Sequence, residues 1–263
     1  MKTVVVTGST RGIGLGLADA FLVRGCQVMV SGRNPVTVNE VVESLASKHG
    51  ADRVGGQPCD ISSYTQVQAL WEAAIQRFGK VDIWINNAGA ANTLTPFWEL
   101  EPDQMRGVVD TNVLGTMFGC KVALQGMSQQ GYGAIYNMEG YGSRGGRKIA
   151  GLTLYGTTKA ALAFLDDALA EEIKGKPVIL GFLSPGMVVT DLLLNQRNGD
   201  PADWERSKRA FNILADRVET VTPWLADQVL ANTQNGRRIS WINGMKIMAR
   251  FLTAPFTKRK VID

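Results

Sequence analysis

The sequence predicts an α/β protein, a parallel sheet of seven strands covered by helices in a single domain. Short apolar runs of strand length alternate along the chain with longer segments whose apolar residues recur at helical spacing. A glycine-rich turn joins the first such run to the first helical segment. The 263 residues, 45% of them hydrophobic, can fill a sizeable core, and no Pro/Ser-rich linker or internal repeat divides them.

Taken in order, the expected strands are 3–7, 27–31, 54–59, 81–86, 133–138, 178–183 and 239–242, each rich in β-branched or other apolar residues. Helical stripes lie between them, such as Val67, Leu70, Trp71, Ala74, Ile75 and Phe78, or Ala160, Leu162, Ala163, Phe164, Ala168 and Leu169. The N-terminus reads as the first strand, without the long apolar stretch and small-residue cleavage site of a signal peptide. Residues 192–203 are the least regular stretch. Ligands of open α/β sheets sit outside the carboxyl ends of the strands, so the region 190–218 is a candidate substrate lid, with an ordinary surface insertion as the alternative. Residues 1–245 form the expected domain, and 246–263 a basic amphipathic tail.

Composition excludes several classes of function. The net charge of +4 resides in the last eighteen residues, where Lys246, Arg250, Lys258, Arg259 and Lys260 face a single acid, Asp263. The body is neutral, which argues against nucleic-acid binding. No segment reaches 18 apolar residues without a charge. Cys26, Cys59 and Cys120 are widely spaced and odd in number, fitting reduced buried thiols better than a disulfide framework or zinc cluster. The single histidine, His49, sits at an expected helix end, so no metal site and no Ser-His-Asp triad is expected.

The segment Thr7-Gly8-Ser9-Thr10-Arg11-Gly12-Ile13-Gly14 between strand and helix is an anion cradle. Its glycines allow a tight turn and close backbone approach to a pyrophosphate, while the helix N-terminus directs free N–H groups at the anion. After the second strand, where an NAD site usually has an acid for the ribose hydroxyls, the chain has Arg33. A guanidinium there, assisted by Arg11, suits a 2′-phosphate and points to NADP(H).

Tyr155 and Lys159 are four residues apart, on one face of a helix. A neighbouring ammonium stabilises phenolate, so Lys159 is expected to bring Tyr155 towards acid/base chemistry on a carbonyl.

The glycine turn, Asn86-Asn87-Ala88-Gly89, Tyr155-x3-Lys159 and Pro185-Gly186, in that order over residues 3–245, resemble the short-chain dehydrogenase/reductase family. The resemblance implies a doubly wound Rossmann sheet, an oxidoreductase activity, and a homodimer or homotetramer built through helices around 102–128 and 155–174. It implies that Gly8, Ser9, Thr10, Arg11, Gly12, Ile13, Gly14, Arg33, Asp60, Ile61, Asn87, Ala88 and Gly89 bind the cofactor with Tyr155, Lys159, Pro185, Gly186, Val188 and Thr190. It also makes Asn112, Ser143, Tyr155 and Lys159 the catalytic residues, Asn112 holding a proton-relay water. Strand alignment puts Gly140 at the family's serine position, whereas counting back from Tyr155 selects Ser143. Ser143 is assigned as the hydrogen-bond donor to the substrate oxygen, with a turn-forming serine as the other reading.

The segments 136–143, 184–194, 211–214, 218–221 and 239–243 are similar to the chlorophyll(ide) b reductase branch of that family, in which NADPH reduces the C7 formyl group of the pigment to hydroxymethyl. Met187, Val188, Leu192, Leu193, Trp204 and Phe211 could line an apolar cleft for such a small-molecule carbonyl substrate. A 3-oxoacyl, steroid or sugar carbonyl is the alternative, and a non-catalytic NADP sensor a third. The expected location is a reducing cytoplasmic or stromal-type compartment, with peripheral membrane contact through the tail, whose Met248, Phe251, Leu252 and Phe256 share a helical face. Packing of the tail on the body is the competing expectation.

Overall fold

The computed structural model describes residues 1–145, 148–194, 208, 211–254 and 259–262. Seven strands form one sheet: β1 (Thr3–Val6), β2 (Gln27–Gly32), β3 (Val54–Pro58), β4 (Ile83–Asn86), β5 (Gly133–Met138), β6 (Val178–Ser184) and β7 (Arg237–Ser240). The spatial order is β3-β2-β1-β4-β5-β6-β7, and every pairing is parallel. Parallel neighbours need crossover connections, supplied here chiefly by α1 (Gly12–Val23), α2 (Pro35–His49), α3 (Tyr64–Phe78), α4 (Pro102–Val109), α5 (Gly115–Gln130), α6 (Thr153–Glu172), α7 (Asp191–Leu194) and α8 (Val218–Ala231). Helix α9 (Gly244–Thr253) follows the last strand.

Alternation along β1 shows why both faces are covered. Val4 and Val6 join Leu17, Phe21, Leu22 and Leu225 in one core layer, from α1 and α8. Val5 and Trp84 of β4 join Leu70, Val122, Ala123 and Met127 in the other, from α3 and α5. These side chains are almost wholly buried, and each contributes about 1.5–3 kcal/mol on leaving water. Because chain order reverses between β1 and β4, the carboxyl ends of these strands open a crevice at the switch point.

The strands lie where the sequence placed them, within one or two residues. The last is displaced: β7 begins at Arg237, two residues before the expected start, because an edge strand with a single neighbour accepts polar residues. His49 closes α2 as expected, its Nε2 2.7 Å from Asp19 Oδ1. The three cysteines are free and buried, and burial pushes the Cys59 and Cys120 thiols up to about 12. Much of the expected lid, 195–207 and 209–210 with Trp204, lies outside the described residues, as does Phe256. Among the described residues no helix is long and apolar enough to cross a membrane.

Candidate active site

A cleft of about 1600 Å³ runs along the carboxyl ends of the strands. Typical ligand pockets are about 300–1,000 Å³, so this one has room for a dinucleotide and a second molecule. Its floor is the glycine turn. Gly8 and Gly12 have φ of +61° and +57°, a region that disfavours side chains. A Cβ on Gly8 would stand 2.8 Å from Ala88 Cα, and one on Gly14 would collide with the Gly8 carbonyl and the Asn87 amide. The turn therefore lies directly on the segment after β4. Asn87 fastens it, its Nδ2 donating to Thr7 O at 2.9 Å and Gly8 O at 3.1 Å. Thr7 Oγ1 accepts the backbone N–H groups of Asn87 and Ala88. The N-terminus of α1 has no side-chain cap, so its first N–H groups remain available to an anion.

The cofactor-site candidates divide into two groups. Gly8, Thr10, Arg11, Gly12, Ile13, Gly14, Arg33, Asp60, Ile61, Asn87, Ala88 and Gly89 line the cleft with Tyr155, Lys159, Pro185, Gly186, Val188 and Thr190. Ser9 does not. It is fully buried, and its hydroxyl donates to Val6 O at 2.7 Å and accepts from Ser31 N at 2.9 Å, stapling β1 to β2. Arg33 is exposed and has no ion-pair partner among the described residues. Arg11 lies 3.8 Å from Asp191, an exposed pair of small energetic weight. Asp60 accepts from the Ser62 N–H and hydroxyl. These donors suit a dinucleotide phosphate: an uncapped helix end, a close-packed glycine floor and an uncommitted guanidinium.

On the opposite wall, α6 brings Tyr155 and Lys159 together, with Lys159 Nζ 5.9 Å from the centre of the Tyr155 ring. Lys159 Nζ donates to Met138 O at 3.0 Å. Burial pulls its ammonium down to about 8, while Asp166 and Glu139 act in the opposite direction. Burial pushes the Tyr155 phenol up to about 12. Burial is the cause of this shift, which runs opposite to the acidification expected of Lys159 from spacing alone. A phenol held protonated in this way can donate to an alkoxide.

Asn112 sits in a π-helical turn, Asp110–Leu114, between α4 and α5. Such turns recur at functional sites. Fully buried, Asn112 donates to Ala90 O at 2.8 Å and Thr158 Oγ1 at 2.9 Å, and its Oδ1 accepts from Ala90 N at 2.8 Å. It locks the post-β4 segment to α6, one residue from Lys159. Ser143 is buried, its Oγ accepts from Gly140 N at 3.0 Å, and it is not among the residues lining the cleft. Gly140 does line it. A Cβ there would meet Tyr155 Oη at 2.5 Å and Lys159 Cε at 3.2 Å, so the position aligned with the family's serine has no room for a side chain.

Sequence reading missed two buried acids behind the pair. Glu139, whose side chain is 2% exposed, is held by Arg144 Nε at 3.0 Å and Arg238 Nε at 2.6 Å. Arg144 also grips Asp167, tying the loop after β5 to α6. Asp166 accepts from Asn137 Nδ2 at 2.6 Å, Asn137 Oδ1 accepts from Asn86 at 2.8 Å, and Asn86 Oδ1 accepts from the Trp84 indole at 2.7 Å. Burial pushes Asp166 up to about 7. Asn86 in the Asn-Asn-Ala-Gly motif was the only local signal of this chain; apart from Trp84, its other members Asn137 and Asp166 are distant in sequence. Among the described residues no cluster of His, Cys, Asp or Glu could hold a metal.

The far wall is apolar: Met187, Val188, Leu192, Leu193, Phe211 and Leu214. Of the six side chains expected there, only Trp204 falls outside the described residues.

Comparison with known proteins agrees with this architecture. The short chain dehydrogenase family model matches residues 2–201. The chain is 33% identical over 269 residues to the probable chlorophyll(ide) b reductase NYC1, chloroplastic, of Oryza sativa subsp. japonica, covering 96% of this chain and 52% of that protein. It thus spans about half of that relative's length. It is 34% identical over 259 residues to the chloroplastic chlorophyll(ide) b reductase NOL of the same organism, covering 95% of this chain and 74% of the relative. A 7 alpha-hydroxysteroid dehydrogenase complexed with NADH and 7-oxo glycochenodeoxycholic acid superposes with a TM-score of 0.80 at 26% identity, covering 92% of this chain and 93% of that one. Sheet order, glycine floor, the paired Tyr155 and Lys159 and the match across most of its length together place the chain in the short-chain dehydrogenase family of oxidoreductases.

Proposed function

We propose that the protein is an NADPH-dependent carbonyl reductase whose substrate is the C7 formyl group of chlorophyll(ide) b. The observation that carries the reaction type is the convergence of Tyr155, Lys159 and the Asn112 lock on the wall of a cleft whose floor suits a dinucleotide. The floor would bind the pyrophosphate, and Arg33 the 2′-phosphate, through charge-assisted hydrogen bonds. NADPH, when bound, supplies the hydride. Tyr155 donates its proton to the developing alkoxide, which is far more basic than a phenol with a pKa near 12. Lys159, beside Gly89, holds the nicotinamide ribose and returns a proton to Tyr155 through the relay that Asn112 orders. Ser143, whose Oγ accepts from Gly140 N and keeps its own O–H to donate, would steady the substrate oxygen only by turning towards the cleft it does not line.

The pigment reading is supported by similarity over at least 95% of the chain to two chlorophyll(ide) b reductases and by the breadth of the apolar wall. Anaerobic incubation with NADPH and chlorophyllide b tests it. Loss of the formyl absorption with stoichiometric NADPH oxidation is expected. An unchanged pigment spectrum, with turnover of an acetoacetyl thioester or a 7-oxosteroid instead, would overturn the substrate assignment.

We further assign the exposed Leu114, Met117 and Phe164 to a contact between copies of the chain, and the exposed Met245, Met248, Phe251 and Leu252 to peripheral contact with a membrane. Lys246 and Arg250 contribute no charge to that contact, since both turn inward onto Trp241 and Asp216. A reducing compartment such as a chloroplast stroma accommodates the three free thiols.

A further inference from the structure

The tail is built into the cleft through one buried acid. Asp216, whose side chain is 5% exposed, accepts from Arg250 Nη2 at 2.7 Å, Arg259 Nη2 at 2.8 Å and the Trp241 indole at 2.6 Å. Two guanidiniums and an indole from three places beyond the sheet's last strand thus converge on one carboxylate. The same arginines reach past it. Arg250 Nη1 donates to Leu214 O at 2.8 Å, Arg259 Nη1 to Ile213 O at 2.7 Å and Arg259 Nη2 to Ala215 O at 3.1 Å. Those carbonyls follow one another at the end of the helical residues 211–214, where no backbone donor in the helix can satisfy them. From the other side, Asn212 Oδ1 accepts the N–H groups of Val261 and Ile262.

Asp216 also joins the wall through its backbone. Its N–H donates to Met187 O at 2.9 Å and its carbonyl accepts from Val189 N at 3.0 Å, a parallel bridge between the chain leaving β6 and the chain entering α8. Both segments joined by this bridge face the cleft, through Met187 and Val188 on one side and Phe211 and Leu214 on the other.

We infer that Asp216, Arg250 and Arg259 are positioning residues: the tail is a strut that holds the apolar wall of the cleft in its substrate-binding shape. The inference rests on reading that wall as the substrate side of the site. It does not depend on which carbonyl is bound. The strut touches neither the glycine floor nor the Tyr155 and Lys159 pair, so it governs binding at the wall formed by Met187 and Val188 and leaves proton transfer alone.

The test compares full-length wild type with Arg250→Gln, Arg259→Gln and, as an exposed control, Arg106→Gln. Hydrogen exchange is followed across 187–194 and 211–218, and KM and kcat are read for whichever of chlorophyllide b, an acetoacetyl thioester or a 7-oxosteroid the wild type reduces fastest. Losing a charge-assisted hydrogen bond corresponds to about a tenfold or greater rise in local opening. Both strut variants should therefore exchange at least about tenfold faster in the two segments, with no change in α1 or α6. KM should rise with kcat little changed, by a factor that follows the fraction of molecules whose wall is open, and Arg106→Gln should match wild type. Unaltered exchange in both strut variants overturns the inference, as does faster exchange with an unchanged KM or with a loss confined to kcat. The exchange arm is read without a substrate, so failure to reduce chlorophyllide b removes only the pigment assignment. Arg259 is one-third exposed, so its variant keeps the test valid if Arg250→Gln does not fold.

Discussion

Replacing Gly140 by alanine introduces a single methyl group against the Tyr155 hydroxyl. The new Cβ would stand 2.5 Å from Tyr155 Oη, 3.2 Å from Lys159 Cε and 3.3 Å from Lys159 Cδ. Ordinary contact begins near 3.4 Å, so the phenol must retreat by close to 1 Å, or the turn after β5 must move outward by as much. The turn is not free to yield, because Gly140 N is bonded to Ser143 Oγ and neighbouring Glu139 is held by two arginines. A misplacement of about 1 Å at a reacting group costs roughly 10²-fold in rate. Gly140→Ala is therefore expected to lower kcat/KM about 100-fold, while the glycine floor under the pyrophosphate is untouched. Overpacking should also cost about 1–3 kcal/mol of stability. The assay is NADPH oxidation with carbonyl substrate, beside fluorescence titration of NADPH and urea unfolding. Wild-type turnover by a folded Gly140→Ala protein would refute the claim that Tyr155 Oη must stay where it is.

Four further outcomes follow from the same geometry. Asp166 is buried with a pKa of about 7 against 3.8 for the free side chain, so between about pH 4 and 7 the folded protein retains a proton that the unfolded chain releases. This group makes stability fall as pH rises across that window, by up to about 4 kcal/mol, and Asp166→Asn should flatten the fall in urea midpoints measured at pH 5 and 7.5. Arg33→Asp should weaken NADPH at least about tenfold relative to NADH, through loss of a charge-assisted contact and gain of like charge; an unchanged NADPH/NADH ratio in steady-state kinetics would remove Arg33 from the cofactor site. Asn87→Ala frees the Thr7 and Gly8 carbonyls, and should cost about 1–3 kcal/mol in thermal unfolding as well as cofactor affinity. Phe164→Glu, on an exposed part of α6, should shift the particle mass measured by light scattering down to that of a monomer.

How much of this was legible in the sequence depends on the distance over which each feature is determined. The strands and helices follow from short apolar runs and helical patterning, which are local, so all seven strands were placed. The glycine floor was legible because a steric demand for glycine between strand and helix leaves its mark in consecutive residues. The π-turn around Asn112 has no such pattern, because its register shift comes from packing between α4, α5 and α6. Glu139 carried no local signal; its meaning lies in Arg144 on the following loop and Arg238, which is 99 residues away. The tail was left between membrane contact and packing on the body, because Asp216, the acid that buries Arg250 and Arg259, is separated from them by 34 and 43 residues. For Tyr155, spacing revealed the neighbouring Lys159 but not the burial that raises the phenol, because burial is set by segments distant in sequence.

The central claim is that the Tyr155 phenol delivers the proton that completes carbonyl reduction. Single-turnover reduction of chlorophyllide b by preformed NADPH complexes of wild type and Tyr155→Phe tests it most directly, with complex formation checked by nicotinamide fluorescence. The account predicts equal NADPH binding and a loss of roughly 10²–10⁴-fold in the rate of formyl reduction in the variant. A variant that binds NADPH and reduces the formyl group at the wild-type rate would contradict it.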